Sequence, residues 1–489
     1  MLLTGGRAPE PVDLRVSAGR VVEVAPRLAR EPGEVVLDVA GRVVRRGLRD
    51  AHAHVVEWAR ARRQLDLSSA RSAAQAAGLV ARAGGAGLLR GGGFRDAGWP
   101  DAPSAQLLDR AAPGRPVVLR SADMHSVWLS RAALGLVGLP DHPTGLLQEH
   151  QAWDALARLP PPSVEDDDDA VADAVAAASA RGLTAVRDFS FEDAHRMWSR
   201  LAQRGPSALR VQAVVLPERL PAMVERGLAT GHGDAFLTVG PLKLFADGSL
   251  GSRTARCLTP YAGTDDHGVQ LLDPEQLRAA LETARRTGFS VAVHAIGDEA
   301  TRDVLAALQT AQVTASVEHA QLVRPEDLPL FAAAGITASV QPAHLLDDAA
   351  LVDDVWRDTA SLPYAVGALV AAGARVVFGS DAPVAPLDPW LAIAAAVHRT
   401  AGGAPPWRPE QAVPLEVALA ASGARRLRVG DAADVVVLDV PTLHGLGAAD
   451  LAAVPVHATL LAGRCVHGPW TDDTGVDDTS ADGPSAGDR

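Results

Sequence analysis

Eight short apolar runs, most of them separated by plausible helices, occupy the middle of this chain and constrain its fold more than any other feature. Their hydrophobicity is continuous rather than alternating, which is typical of parallel strands buried on both faces. The stretch at 273–288 opens with acidic residues and closes on two arginines and Gly288, as a helix does. Eight such units predict an α/β fold with a (β/α)8 TIM barrel. The runs are RGLRDAHAHV, GLTAVRDFS, LRVQAVVLP, VGPLKLFADG, FSVAVHAIG, TASVEHAQL, ITASVQPAH and ARVVFGSDAPV.

The regions outside these runs indicate further structure. About 130 residues separate His54 from the second run, which predicts an insertion of roughly residues 56–165 after the first barrel strand. Both ends of the chain are rich in strand patterns, with a hairpin signal at Ala18 and Gly19. We therefore predict a barrel domain at 49–426 and a small β-sandwich domain built from 1–48 and 427–469. The polar residues 470–489 are expected to form a disordered tail.

Composition excludes several classes of protein. A net charge of −13 gives no reason to expect a nucleic acid or an anionic membrane as a partner. No segment has the length of uninterrupted apolar sequence that a membrane span needs, and no signal peptide is evident. The two cysteines, Cys257 and Cys465, are far apart and suit a reducing cytoplasm. A cytoplasmic protein acting on a small molecule is the resulting expectation.

An acidic run, EDDDD at 165–169, stands at the end of the insertion. It favours a helix start capped by Ser163, because carboxylates in a first turn are stabilised by the helix dipole. Cation binding by these carboxylates is the alternative.

Lys243 is the only lysine in the chain, since the other 45 of its 46 basic residues are arginines. An amine differs from a guanidinium because it can be deprotonated and act as a nucleophile. A neutral Lys243 could form a Schiff base or take up CO2 to become an anionic carbamate able to bridge two metal ions. Coding drift that left one lysine by chance is the alternative.

Six candidate site residues fall at the ends of predicted barrel strands, where the active sites of such barrels lie. Residues i and i+2 of a strand point to the same side, so a pair of histidines after the first strand can bind one ion. Imidazole and carboxylate are the usual ligands of catalytic zinc. Each residue alone is a weak signal, but their joint placement is hard to ascribe to chance. The six are His52, His54, Lys243, His294, His319 and Asp381.

The motifs GLRDAHAH, KLFADGSLGSR, VHAIGDEA, VEHAQL and FGSDAPVAPLDPW resemble those of the amidohydrolase superfamily, in the branch typified by N-substituted formamide deformylases. The resemblance covers nearly the whole chain and implies hydrolysis of a non-peptide C–N bond. It implies one or two divalent metal ions, expected to be zinc, with Lys243 as a carboxylated bridge and Asp381 as both a ligand and the proton-transfer group. The implied metal ligands are His52, His54, Lys243, His294, His319 and Asp381.

Within this resemblance, His294 or His319 would also stabilise the oxyanion of the transition state. The segment LRSADMHSVWLSRAAL is similar to one that lines the substrate pocket, which makes His125 a candidate substrate contact. Arg253 could bind a substrate carboxylate or pair with Asp247 or Asp265. The segment 421–431 is shorter than is usual for this branch, which could open the site or alter oligomer contacts. A homodimer is a further expectation.

Other readings of the same residues remain open. His344 closes the seventh run and is expected to line the pocket. A Schiff-base aldolase would use the lysine but not the histidines. A metal-dependent isomerase or decarboxylase is harder to separate from a hydrolase, because a fold does not fix a reaction. A non-catalytic metal-binding protein is the remaining alternative, although every ligand position holds a competent residue.

Overall fold

A parallel sheet of eight strands forms the centre of the computed structural model, which describes residues 1–160, 163–400 and 403–471. Successive strands pair in chain order from the first to the eighth. Asp381 N donates to His52 O at 2.6 Å, so the segment after the last strand meets the first and nearly closes the sheet. The predicted barrel is confirmed, and each apolar run supplies one strand. The strands are Leu48–Ala53, Leu183–Asp188, Arg210–Val215, Leu237–Phe245, Val291–Ala295, Ala315–His319, Thr337–Val340 and Arg375–Phe378.

Helices surround the barrel between these strands. The helix Pro274–Thr287 shows how local sequence sets their ends. Asp273 accepts hydrogen bonds from the backbone of Glu275 and Gln276, and Gly288 ends the helix with a φ of +77°. The barrel helices are Val55–Ala61, Val164–Ser179, Ala194–Ala202, Leu220–Glu225, Pro274–Thr287, Asp298–Ala311, Leu328–Ala333, Leu345–Val355, Val366–Ala371, Pro389–His398 and Leu415–Ala421.

The two ends of the chain build a second β domain, as predicted. Strands Val43–Arg46 and Val435–Leu438 pair antiparallel and join the two ends in one eight-stranded sheet. Trp470, predicted to begin the disordered tail, packs its ring 5.3 Å from that of His457. The rest of that predicted tail, 472–489, lies outside the described residues. The strands are Leu2–Arg7, Pro11–Ser17, Arg20–Ala25, Val36–Asp38, Val43–Arg46, Val435–Leu438, Val456–Leu461 and Arg464–His467, with the helix Ala448–Ala452 between them.

The insertion lies between the first and second barrel strands and has its own core. Trp128 is fully buried there beside Phe94. A five-stranded sheet packs against short helices, so the insertion is a compact unit that stands over the barrel mouth. Its strands are Leu65–Asp66, Leu89–Phe94, Val117–Ser121, Ser126–Leu129 and Leu146–Gln148, and its helices are Ala73–Arg82, Ala105–Ala111, Arg131–Leu136 and Glu149–Ala157.

The acidic run at 165–169 begins a helix rather than a cation site. Ser163 Oγ accepts the backbone N–H of Asp166 at 3.0 Å. Asp167 pairs with Arg60 and Asp168 pairs with Arg200, so arginines neutralise these carboxylates. Within 1–160, 163–400 and 403–471 the carboxylates of this run form no metal-binding cluster. In those same ranges, no helix combines the length and apolar character needed to cross a bilayer.

Candidate metal centre

The structure brings all six candidate residues to one cavity at the C-terminal end of the barrel strands. The cavity has a volume of about 420 Å³, which is the size of a small-molecule site. Strand geometry explains the convergence, because the ends of parallel barrel strands meet at one mouth. Each of the six side chains is buried: His52, His54, Lys243, His294, His319 and Asp381.

Three of these residues form a compact group of potential ligands. Asp381 Oδ1 lies 3.2 Å from His54 Nε2 and 3.5 Å from His52 Nε2. One ligand atom from each residue lies within 4.8 Å of the others. Among the described residues, His52 Nε2 and Asp381 Oδ1 are buried without a hydrogen-bond partner, and His54 Nε2 faces Asp381 Oδ1. Such orphaned atoms are unfavourable unless something binds them, and imidazole nitrogen and carboxylate oxygen suit a divalent cation such as zinc.

The protonation states of these groups also suit a cation. Burial, reinforced by the charge of Lys243, lowers the pKa of His52 to about 4. Burial likewise places the pKa of His294 and of His319 well below the ordinary value. Burial alone would raise the pKa of Asp381, but the adjacent imidazoles hold it well below its usual range. Neutral imidazoles and an ionised carboxylate are the forms that bind metals.

His294 and His319 each have one ring nitrogen occupied by a protein acceptor. His294 Nε2 donates to Gly248 O at 2.9 Å, and His319 Nδ1 donates to Gln341 Oε1 at 3.0 Å. The second nitrogen of each neutral ring is then an acceptor. The N–H of each ring is already donated to a protein oxygen, so neither histidine has an N–H left for an oxyanion. The geometry therefore favours metal binding by these two histidines over the oxyanion stabilisation that the sequence also suggested.

Lys243 is wholly buried and lies beside two pairs of histidines, His52 with His54 and His294 with His319. Its Nζ is 4.8 Å from the ring centre of Phe189 and 4.7 Å from that of Phe245. Within the ranges the structure describes, Lys243 forms no ion pair with a carboxylate. Burial lowers the pKa of Lys243 to about 8, so a fraction of the amine is neutral near physiological pH.

Aromatic rings from the loop after the second barrel strand hold the His52–His54 pair. Phe189 stacks on His52 with ring centres 3.7 Å apart and an interplanar angle of 2°. Phe191 lies on His54 with ring centres 4.8 Å apart. Stacking of this kind restricts imidazole rotation and keeps both rings directed at the cavity.

Glu318 orients His52 and was missed by sequence reasoning. His52 Nδ1 donates to Glu318 Oε2 at 2.6 Å, so the ring proton is on Nδ1 and the lone pair of Nε2 is available to a metal. Burial opposes ionisation of Glu318, but the His52 hydrogen bond and the charges of Arg187 and Lys243 lower its pKa to about 2. A glutamate inside an otherwise apolar strand run was the available sequence signal.

Glu318→Gln is expected to weaken metal binding by about 10- to 100-fold, since the amide no longer fixes the ring as a charged acceptor does. Competition with a chromophoric chelator measures this affinity. Glu326→Gln, at an exposed acid near the same strand, serves as the control and should bind metal normally. Equal affinities for the wild type and Glu318→Gln would contradict the orienting role.

The three secondary candidates also line the cavity: His125, Arg253 and His344. His344 Nε2 donates to Ser380 O at 3.2 Å, and its Nδ1 accepts from Gln321 at 3.4 Å, so the ring is a fixed wall. Arg253 is exposed at the mouth and forms no ion pair with any described residue. Asp247, one partner considered for it, accepts instead from the backbone of Ile296 and Gly297. Burial raises the pKa of Asp247 to about 7.

Comparisons with known proteins identify the family of this chain. A model of the amidohydrolase family matches residues 35–467. The protein YtcJ of Bacillus subtilis (strain 168) is 30% identical over 401 residues, or 74% of each chain. The N-substituted formamide deformylase of Arthrobacter pascens is 25% identical over 468 residues, or 83% of each chain. An uncharacterized metal-dependent hydrolase from Pyrococcus horikoshii OT3 has a TM-score of 0.77 at 27% identity, covering 90% of this chain and 98% of that one. Because the family match extends over most of its length, this chain belongs to the amidohydrolase family.

Proposed function

We propose that this protein hydrolyses a non-peptide C–N bond, in an amide, formamide or related small molecule, with the help of a divalent metal. The observation that carries the proposal is the buried group of His52, His54 and Asp381 at the floor of a ligand-sized cavity, in which His52 Nε2 and Asp381 Oδ1 have no hydrogen-bond partner among the described residues. Family membership supports a hydrolase, and the similarity to a formamide deformylase supports the class of bond.

The metal would be held by His52, His54 and Asp381, with His294 and His319 as ligands for a second ion. Nitrogen and oxygen ligands of this kind favour zinc. A cation held there would supply the Lewis acidity that activates water and polarises a carbonyl group. We propose one or two ions per chain.

Lys243 is the residue that we propose to carry a CO2-derived carbamate. Its amine would form an N–C bond to CO2 and release one proton, which gives a carboxylate-like anion at the position of the ammonium. The buried ammonium has no ion-pair partner within the described ranges, and the charges of Glu318 and Asp381 offset only part of the cost of its burial. An anionic carbamate between the two histidine pairs would remove that unfavourable charge and provide a bridging ligand.

Asp381 is the proposed proton-transfer residue. Its Oδ1 faces the histidine pair and makes no hydrogen bond of its own, so it is free to accept a proton from the attacking water. The carboxylate lies on the segment after the last barrel strand, at the cavity floor, where water and a substrate carbonyl meet. Asp381 gives this proton up again before the next turnover.

Release of free amine from N-formyl and N-acyl compounds tests the proposed reaction. We expect metal-loaded protein to release amine from at least one such compound, and chelation followed by zinc addition to abolish and restore the release. Turnover that yields an isomer or CO2 without amine would instead support the isomerase or decarboxylase alternative. Full activity after complete removal of metal would contradict the metal-dependent mechanism.

Arg253 is proposed to select substrates that carry a carboxylate. Arg253→Gln should raise KM for an N-formyl amino acid by about 10-fold or more, because a hydrogen bond to a charged group is lost. KM for an uncharged formamide should not change, and neither should kcat for either compound. Arg286→Gln, at an exposed helix position, is the matched control. An equal rise in KM for both compounds would contradict carboxylate recognition.

A further inference from the structure

We infer that His125 and Glu149, both from the insertion, form an acid–base dyad that protonates the departing nitrogen of the substrate. This inference rests on the proposed hydrolysis of a C–N bond and assigns one of its proton transfers. It gives the insertion a chemical role in addition to that of a cavity wall.

The dyad is a direct hydrogen bond at the cavity wall. His125 Nδ1 lies 2.8 Å from Glu149 Oε2, and their side chains are only 13% and 18% exposed. Because Nδ1 donates to the carboxylate, Nε2 is the ring nitrogen left for a ligand. His125 lines the same cavity as Asp381, so one substrate in that cavity would be within reach of both residues.

Glu149 is fixed from two sides. Its Oε1 accepts hydroxyl hydrogen bonds from Ser252 and Thr254, each at 2.8 Å. Both hydroxyls belong to the loop after the fourth barrel strand, so the carboxylate joins the insertion to the barrel. The backbone N–H of Glu149 also donates to His125 O at 2.8 Å.

The backbone of Glu149 supports a dedicated role for this carboxylate. Its φ is +49°, in the left-handed region that a non-glycine residue occupies at an energetic disadvantage. Residues held in such conformations are concentrated at functional sites. In this protein the conformation directs the carboxylate at the His125 ring while the helix Glu149–Ala157 starts at the same residue.

The charges around His125 favour its protonated form. Burial opposes the imidazolium, but Glu149, Asp123 and Asp381 together outweigh burial and raise the pKa of His125. His294 and Asp247 also interact electrostatically with this ring, and Arg253 stands at the same cavity. A general acid must carry its proton at the start of turnover, and these charges favour that form of His125.

The proposed step balances as follows. Asp381 takes one proton from water while the water oxygen forms a bond to the carbonyl carbon and the C=O π pair moves to the carbonyl oxygen. That pair re-forms the C=O bond as the C–N bond breaks, the C–N electron pair moves to nitrogen, and His125 Nε2 gives that nitrogen a proton. Asp381 releases its proton to solvent and His125 regains one, so each turnover consumes one water and no other reactant.

The dependence on the leaving group tests this step. Protonation matters for a basic leaving group such as benzylamine and little for 4-nitroaniline, which departs without it. With N-formyl derivatives of both amines, His125→Gln should lower kcat by about 100-fold for the benzylamine compound and only slightly for the nitroaniline compound. The metal content of His125→Gln should match that of the wild type. His150→Gln, at an exposed histidine of the adjacent helix, should behave like the wild type.

An NMR titration of the His125 ring in the full-length protein gives a readout apart from turnover. Glu149→Gln should lower the pKa of His125, because the positioning carboxylate loses its charge. An unaltered His125 titration would overturn the dyad.

The kinetic outcomes separate the two proposals. Equal losses for both leaving groups in His125→Gln would overturn the acid role and leave hydrolysis intact. If the wild type releases no amine from any formamide, the proposed hydrolysis is wrong and the assignment of the dyad is overturned with it.

Discussion

Asp381→Asn is expected to lower kcat by about 10³-fold, because an amide cannot accept the proton that the carboxylate takes from water. The substitution is close to isosteric, so the cavity keeps its shape. Asp381 has a φ of +56°, and asparagine tolerates this left-handed conformation better than most residues do. The variant should therefore fold normally and keep metal through the histidines. Steady-state kinetics with elemental analysis of the same sample measure both quantities.

Asp358→Asn is a suitable control, since that carboxylate is 63% exposed and its one ion-pair partner among the described residues is Arg357. It removes one negative charge and should leave kcat unchanged. If Asp381→Asn had a normal kcat at normal metal content, Asp381 would not be the proton-transfer residue. A low kcat together with lost metal would be explained by the loss of a ligand and would contradict the expectation that the histidines alone keep the metal.

The barrel was predictable because its strands are buried on both faces. Runs such as the one containing Val291 and Val293 are continuously apolar, and this pattern needs no knowledge of the partner strand. The positions of the metal-binding candidates followed from the same reasoning, since His294 and His319 stand at the ends of such runs. Regular topology then places those ends at one mouth.

The supporting contacts could not be predicted from the sequence. Glu318 meets His52 across strands that are 266 positions apart, and the direction of its side chain depends on the barrel register. Glu149 reaches Ser252 only because the insertion docks on the loop after the fourth strand. The docking of one unit on another depends on complementary surfaces, which local sequence periodicity does not describe.

The single lysine makes the carbamate directly observable. Protein equilibrated with ¹³C-labelled CO2 can carry a side-chain carbamate at one position only, because Lys243 is the sole lysine of the chain. We expect one ¹³C carbamate signal in the metal-loaded wild type that is absent in Lys243→Ala. A signal in both proteins would point to the N-terminal amine instead.

Lys243→Ala is also expected to lose at least one metal ion per chain and to lower kcat by about 10³-fold or more, because the bridging anion is missing while the other ligands remain. A short carboxylic acid such as propionate should restore part of the metal content and of the activity, since its carboxylate can occupy the space left by the side chain. Lys243→Arg keeps a cation in the site but cannot form a carbamate. Because its side chain also fills the space that propionate would occupy, propionate should not restore activity. Full metal occupancy of Lys243→Ala without any additive would contradict the bridge, and His52, His54 and Asp381 would then be sufficient to hold the metal.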